Sequence, residues 1–429
     1  MARQRQSEKK AQEQFNLKDL NIMDLGKDVG LTLMRDNTYA NVDNWLPTGI
    51  PQYDAIMGGG IPFGRVTEVF GKKASGKSTF ALQLSKKASE LGVVTIWIDV
   101  EGTSDVRRLE QLGVDTDKVF AIQPKFNKKK NMYDPLTVES IADEIGGLLE
   151  KFRNISVDIP LLIIWDSIAA TTSQLEIDQD ITSQQPGIKA KALAKFFNRV
   201  TPLINGSNTA LVAINQARDV MGGSFGFGDN IDSPGGKALE HVVSLQLLVN
   251  AVNANDFNQI KPNSTSNYGS YTGHNMQVET KKSKVSRPQQ KAKAFIASEH
   301  ELADGTEING FNPDYIIIRE AINLKIIESR GAWKVYVTDN GEELKMYEKD
   351  WYPYFIHNQN PEIIKEITAK VYYKLFPKEY PPFENTIIKV DDEFAMDKLK
   401  EYYANKNETP VESTESENGT DSEWKIKNN

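Results

Sequence analysis

Apolar and polar positions along the chain follow two rhythms. Short, nearly unbroken apolar runs recur at VTEVF (66–70), VVTIWIDV (93–100), LLIIWDS (161–167), TALVAINQ (209–216) and HVVSLQLLV (241–249), and they read as strands buried on both faces. Between them the spacing changes to that of a helix. Ala81, Leu84, Ala88 and Leu91 form one such stripe directly after the first run. This alternation predicts an α/β core from about residue 45 to 295, a mostly parallel sheet flanked by helices. Residues 1–44 read as a helical arm. Residues 296–378 read as a small α/β domain, in which Ile317, Ala321, Leu324 and Ile327 share a helix face that stops at Gly331. In that domain GAWKVYV is a strand, and Asn360-Pro361 opens a second helix with Ile364, Ile367, Val371 and Leu375 on its buried side. The Asn-, Ser- and Gly-rich segment 250–275 lies between two strand-like stretches and reads as the tip of a long hairpin.

Charge adds a fifth region. The net charge is −8, and between Asp391 and Glu423 eleven acidic residues stand against three lysines, which supplies the whole excess. Residues 379–429 therefore read as an acidic, largely disordered tail, either a solubilising end or a regulatory one. The chain has no cysteine, four histidines and no apolar run long enough to cross a membrane. A cytoplasmic protein without disulfides or a thiolate metal site is expected, and any metal is the Mg²⁺ of a nucleotide.

The candidate chemistry begins at GKKASGKST. Gly71, Gly76, Lys77 and Ser78 satisfy the spacing G-x-x-x-x-G-K-[ST] at a strand–loop–helix junction. Glycines let backbone N–H groups of Lys72, Lys73, Ala74 and Ser75 turn inward around phosphate oxygens, Lys77 reaches the β- and γ-phosphates, and Ser78, followed by Thr79, offers a hydroxyl to Mg²⁺. Hydrolysis also needs carboxylates. The run LLIIWDS delivers Asp166 to the carboxyl edge of the sheet as a metal-site candidate, and Glu101, two residues past the strand end at Asp99, is placed to activate water. The plainer alternative for Glu101 is a solvated loop carboxylate. Gln216 ends TALVAINQ and could report the γ-phosphate to the glycine-rich loop that follows, which holds Arg218, Phe225 and Phe227. Those side chains suit either stacking on single-stranded nucleic acid or anchoring against a neighbouring chain.

Taken together, these stretches resemble the RecA-type homologous recombinases, including the RecA-like recombinases of large bacteriophages. The similarity runs from LPTGIPQYDAIMGGGIPFGRVTEVFGKKASGKST through WIDVEGTSDVRRLEQLGVD, LLIIWDSIAA, LVAINQAR and SPGGKALEHVVS to VETKKSKVSRPQQKAKAFI and on to Trp333, with a weaker echo to about Phe376. The resemblance implies ATP and Mg²⁺ bound between adjacent subunits of a helical filament, with Lys77, Ser78, Glu101, Asp166 and Gln216 in the roles just described. It further implies a first DNA loop at 176–190, including Gln185 and Lys189, and a second at 217–234 that leads into Gly235 and Gly236. Lys282 and Lys284 match a lysine pair that reaches a neighbour's nucleotide, although the same cluster could be a solvated basic edge. Asp105 matches a purine-edge contact. Arg108 stands where cellular relatives stack a tyrosine on adenine, and His241 where relatives carry an aromatic that couples subunits. Both departures leave base selectivity and cooperativity open. The implied partners are single-stranded DNA, homologous duplex DNA and further copies of the chain, with a single-strand-binding protein and a loading mediator. The expected function is ATP-dependent strand exchange on filaments. The rivals are a ring helicase or regulatory ATPase on the same core, and an ATP-clamped coating or loading protein.

Overall fold

The computed structural model describes residues 41–102, 104–155, 159–179, 187–219, 231–234, 236–252, 259–260, 270–271, 273–357 and 359–376, with residues 30 and 39. Nearly all of the N-terminal arm, most of the Asn-rich hairpin tip and the acidic tail lie outside these residues. Nine strands build the central sheet: β1 (Arg65–Gly71), β2 (Val94–Asp99), β3 (Val119–Ile122), β4 (Leu161–Asp166), β5 (Thr209–Gln216), β6 (Leu245–Ala251), β7 (Gly273–Ser283), β8 (Lys291–Glu301) and β9 (Glu307–Gly310). Their order across the sheet is β9-β8-β7-β6-β1-β5-β4-β2-β3. The six from β6 to β3 are parallel and the other three extend the sheet antiparallel.

The apolar runs are continuous because both faces of the parallel part are covered. Along β4, Leu162 and Ile164 face one cluster with Phe80, Ala81 and Leu84 of α2 (Lys77–Glu90) and Tyr53 and Met57 of α1 (Pro51–Met57). Leu161, Ile163 and Trp165 face the other, with Ile141 and Ile145 of α4 (Val138–Ile155) and Phe196 and Phe197 of α5 (Ile188–Ile204). The α3 helix (Val106–Gln111) follows β2, and α6 (Gly236–Val242) precedes β6.

The C-terminal module comprises α7 (Pro313–Asn323), the three-stranded sheet β10 (Glu328–Arg330), β11 (Trp333–Val337) and β12 (Glu343–Tyr347), then α8 (Glu348–Ile356) and α9 (Pro361–Leu375). Two expectations need correction. The helix carrying Ile317 and Ala321 ends at Asn323, where Lys325 takes a left-handed φ of 56° and the N–H groups of Ile326 and Ile327 both turn back to Ala321 O. Gly331 instead turns β10 into β11. The boundary expected at residue 295 falls inside β8, whose residues serve both sides: Ala294 and Ile296 pack into the ATPase core, Phe295 and Ala297 into the module. No linker separates the two. A buried polar tie adds to this, since Thr48 N and Oγ1 both donate to Asp54 Oδ1 at 2.7 Å and the Tyr372 hydroxyl on α9 donates to Asp54 Oδ2 at 2.8 Å.

Candidate nucleotide site and DNA-facing loops

The phosphate-loop motif folds into a tight concavity at the end of β1. Gly71 is obligatory by contact: a Cβ there would lie 2.2 Å from Val249 O and 2.6 Å from Ser75 Oγ. Ala74 and Gly76 take left-handed φ values of 60° and 97°, and Gly76 is the N-cap of α2, so the helix N-terminus opens into the loop. Lys72 and Lys73 form its exposed rim. Ser75 Oγ is buried and has no hydrogen-bond partner among the described residues. A glycine-lined hollow with an orphaned hydroxyl and a helix N-terminus fits phosphate oxygens. Lys77 Nζ spans its mouth, donating to Gly71 O at 3.0 Å and Lys72 O at 2.8 Å. Burial draws the Lys77 pKa down, and Asp166 and Glu101 oppose that shift.

Strand register brings the other groups to the same edge. Gly71 pairs with Gln216, and Asp99 with Asp166. Ser78 Oγ donates to Asp166 Oδ2 at 3.0 Å. Burial pushes the Asp166 carboxyl up to about 6; the Ser78 bond and Lys77 resist, while Glu101 and Asp99 push the same way. The adjacent Ser167 Oγ donates to Glu101 Oε1 at 2.7 Å, so two consecutive residues at one strand end contact the Ser78 hydroxyl and the water-activating candidate Glu101. Asp99 receives the Ser104 N–H at 2.9 Å and closes its strand. Asp105 caps α3 by accepting from Arg107 N at 2.9 Å, and Arg108 lies exposed on that helix. Gln216 is exposed at the edge beside the cradle.

One residue of this edge was missed by sequence reasoning. Glu68, in the middle of β1, is 1% exposed. Its Oε1 accepts from Asn215 Nδ2 at 2.9 Å and from Ser233 Oγ, and its Oε2 accepts from Gln246 Nε2 at 2.9 Å. Asn215 Nδ2 also donates to Pro234 O, and Asn215 Oδ1 accepts the Gln216 N–H at 3.0 Å. One buried carboxylate thus joins the strand that ends at Gln216 to the segment at Ser233 and Pro234. The available signal was a lone acid inside the apolar run RVTEVF, but its partners lie more than a hundred residues away in sequence.

The loop roots are ordered. Glu176 belongs to a capping box with Ser173 at the start of helix 174–178, and Ile188 to Ala190 open α5, so both ends of the stretch expected as the first loop are helical; residues 180–186 lie outside the described residues. Lys189 Nζ donates to Ala169 O at 2.7 Å, and burial lowers its pKa, with Glu176 opposing and Arg218 adding. Arg218 and Asp219 pair antiparallel with Asp232 and Ile231, closing the base of the second loop. Between the loop roots lies a cavity of about 500 Å³ lined by Lys189, Gln216, Arg218 and Pro234. Gln185, Phe225, Phe227 and Gly235 lie outside the described residues, and Gly236 begins α6. Lys282 and Lys284 are not near the cradle. Lys282 Nζ donates to Glu240 O, and Lys284 Nζ to His241 O at 2.8 Å, at the carboxyl end of α6.

The model of the RecA N-terminal domain family matches residues 15–302. The chain belongs to the RecA family. It is similar to Protein RecA of Campylobacter jejuni, 29% identical over 361 residues that cover 82% of this chain and 92% of the relative. Protein RecA of Thermus aquaticus is 30% identical over 327 residues, 76% of this chain and 84% of the relative, and that of Geobacter metallireducens 28% over 349 residues, 81% and 90%. The chain is therefore a RecA-type strand-exchange recombinase of recombination and repair, an ATP-dependent enzyme whose ATPase is stimulated by DNA and which self-associates on it. Among the described residues no helix is long and apolar enough to cross a membrane.

Proposed function

We propose that ATP seats its phosphates in the Gly71–Thr79 loop and that hydrolysis is driven from the neighbouring strand ends. The observation that carries this reading is the pair of bonds from Ser78 to Asp166 and from Ser167 to Glu101, which gather hydroxyl, metal-site carboxylate and base at one edge. Ser78 would hold Mg²⁺ directly and Asp166 through its water, and the ion would supply charge neutralisation between the β- and γ-phosphates. Lys77 exchanges its carbonyl partners for phosphate oxygens. Glu101, oriented by Ser167, accepts the proton of the attacking water. Arg108 stacks on the purine through its guanidinium plane, with Asp105 at the base edge. Gln216 meets the γ-phosphate and, through Asn215 and Glu68, tightens the second loop on DNA, so hydrolysis loosens the grip.

Lys189, Arg218, Phe225 and Phe227 face single-stranded DNA, with Gln185, Gly235 and Gly236 at the loop backbone. Lys282 and Lys284 act on the nucleotide of an adjacent subunit, completing each site in trans. A single-strand-binding protein and a loading mediator serve the filament, and the cytoplasm is its compartment. The test is ATP hydrolysis by the full chain with and without single-stranded DNA, beside Glu101→Gln, with negative-stain images of each mixture. DNA-stimulated hydrolysis on open filaments, and filaments that persist in the variant while hydrolysis falls at least about a hundredfold, are the expected result. Closed rings, or hydrolysis indifferent to DNA, would transfer the reading to a ring motor.

A further inference from the structure

Between edge strand β3 and helix α4 the chain extends a hairpin, Lys125–Asn127 paired antiparallel with Met132–Asp134. Its surface is unusual in two respects. Phe126, Met132 and Tyr133 are 51%, 54% and 62% exposed, and the rings of Phe126 and Tyr133 meet edge to face at 5.2 Å. The turn carries three consecutive lysines. Lys130 is tied to Asp134 at 2.9 Å and Lys125 to Glu144 at 2.6 Å, while neither Lys128 nor Lys129 has an ion pair among the described residues. The turn is also built rather than slack: Asn127 Oδ1 accepts the N–H groups of Lys129 and Lys130, and its amide donates to Asp134. Two exposed lysines are therefore carried on a fixed turn at the tip of a hairpin with two half-exposed aromatic rings.

The exit of the hairpin is tied to the segment that precedes the expected first loop. On its exit, Thr137 bridges to Thr172, Val138 N donates to Thr172 O at 3.0 Å, and Glu139 Oε2 accepts from Gln174 N at 2.9 Å. The helix at 174–178 continues the apolar exposure with Leu175 and Ile177. Free lysines interleaved with aromatics suit a single strand, whose phosphates take the cations and whose bases stack in any sequence. A protein partner fits less well, because lysine is depleted from the cores of protein interfaces.

We propose that the hairpin Lys125–Asp134 is an additional contact for single-stranded DNA, with Lys128 and Lys129 on the phosphates and Tyr133 and Phe126 against bases. It extends the path of the strand beyond the first loop, and so rests on the assignment of that loop to DNA. The experiment measures binding of an oligo-dT to the full chain with a slowly hydrolysed ATP analogue across a salt series. The variants are K128A/K129A, Tyr133→Ala and Arg218→Ala, each checked for an unchanged melting temperature. The lysine double variant lowers the slope of log affinity against log salt by about 1.4, at about 0.7 per single-strand phosphate contact. Tyr133→Ala weakens binding about fivefold on the normal strand and not on an abasic one. If both hairpin variants keep slope and affinity within about twofold while Arg218→Ala weakens binding, the hairpin contact is wrong and the loop reading stands. If Arg218→Ala is neutral too, the loop reading falls and the extended path with it. Loss of self-association without DNA in Tyr133→Ala would make the hairpin a contact between copies and overturn the proposal.

Discussion

The two ends of strand β1 have opposite chemistry. Its carboxyl end gathers Asp99, Glu101 and Asp166 near Lys77, whose ammonium sits between the loop carbonyls, with Lys72 and Lys73 on the exposed rim. Its amino end gathers cations: Arg65 and Lys282 both lie close enough to Lys284 to add to the lowering that burial imposes on its pKa. Ser244 bonds Val66 and Lys284 bonds Ser244, which fixes Lys284 level with Val66, five residues or about 16 Å along the strand from Gly71. Within one chain the lysine pair meets carbonyls of α6 rather than the cradle. In the proposed trans arrangement a second copy stacked head to tail brings the two together, and such a contact runs on as an open helix where its rotation does not close.

The sharpest way to break that comparison is at the lysines. Lys282→Ala with Lys284→Ala should lower hydrolysis at least about a hundredfold while ATP still binds. An equal mixture with the Glu101→Gln chain should regain turnover, because about a quarter of the interfaces then join an intact cradle to intact lysines. If the mixture stays inactive, the lysines only hold the end of α6.

The acidic end has a pH signature with a definite sign. Asp166 is raised from 3.8 to about 6, so the folded chain takes up a proton there that the unfolded chain does not hold. Stability without nucleotide is therefore favoured below about pH 4 and lost as pH rises through about 6, by roughly 2–3 kcal/mol from this group. Urea titrations at several pH values should show Asp166→Asn, which keeps an acceptor for Ser78, flattening that slope. An unchanged slope would mean that burial does not hold a proton on Asp166. The smallest effect belongs to Glu68→Gln, which weakens the link between Gln216 and the second loop. Stimulation of hydrolysis by DNA should fall about tenfold with nucleotide affinity within about twofold, and full stimulation would remove Glu68 from the coupling.

What was legible in the sequence was what is local. The cradle is set by nine consecutive residues, and the strand ends at Asp166 and Gln216 follow from apolar runs whose length fixes where they stop. Register between distant strands was not legible, so the pairing of Gly71 with Gln216 and the Glu68 cluster emerged only in three dimensions. The end of α7 was misplaced because Ile327 keeps helical spacing although the chain has already left the helix, through Lys325 in a left-handed turn that is uncommon for residues other than glycine and that no turn residue marks. The boundary at 295 failed for a related reason: alternate residues of one strand face two cores, and apolar alternation cannot tell which core each side belongs to. The hairpin at 125–134 gave no periodic signal at all, since its apolar residues point to solvent.

The central place of β1 also governs the order in which the enzyme can come into being. Its flanking strands are β5 and β6, so the residue that begins the cradle, Gly71, is walled by Val249 O and by Gln216, segments made long after it. A chain emerging from the ribosome holds the complete phosphate motif early and has nowhere to fold it. ATP recognition therefore arrives in a single late step, once residue 251 has cleared the exit tunnel, which keeps half-made chains from capturing nucleotide.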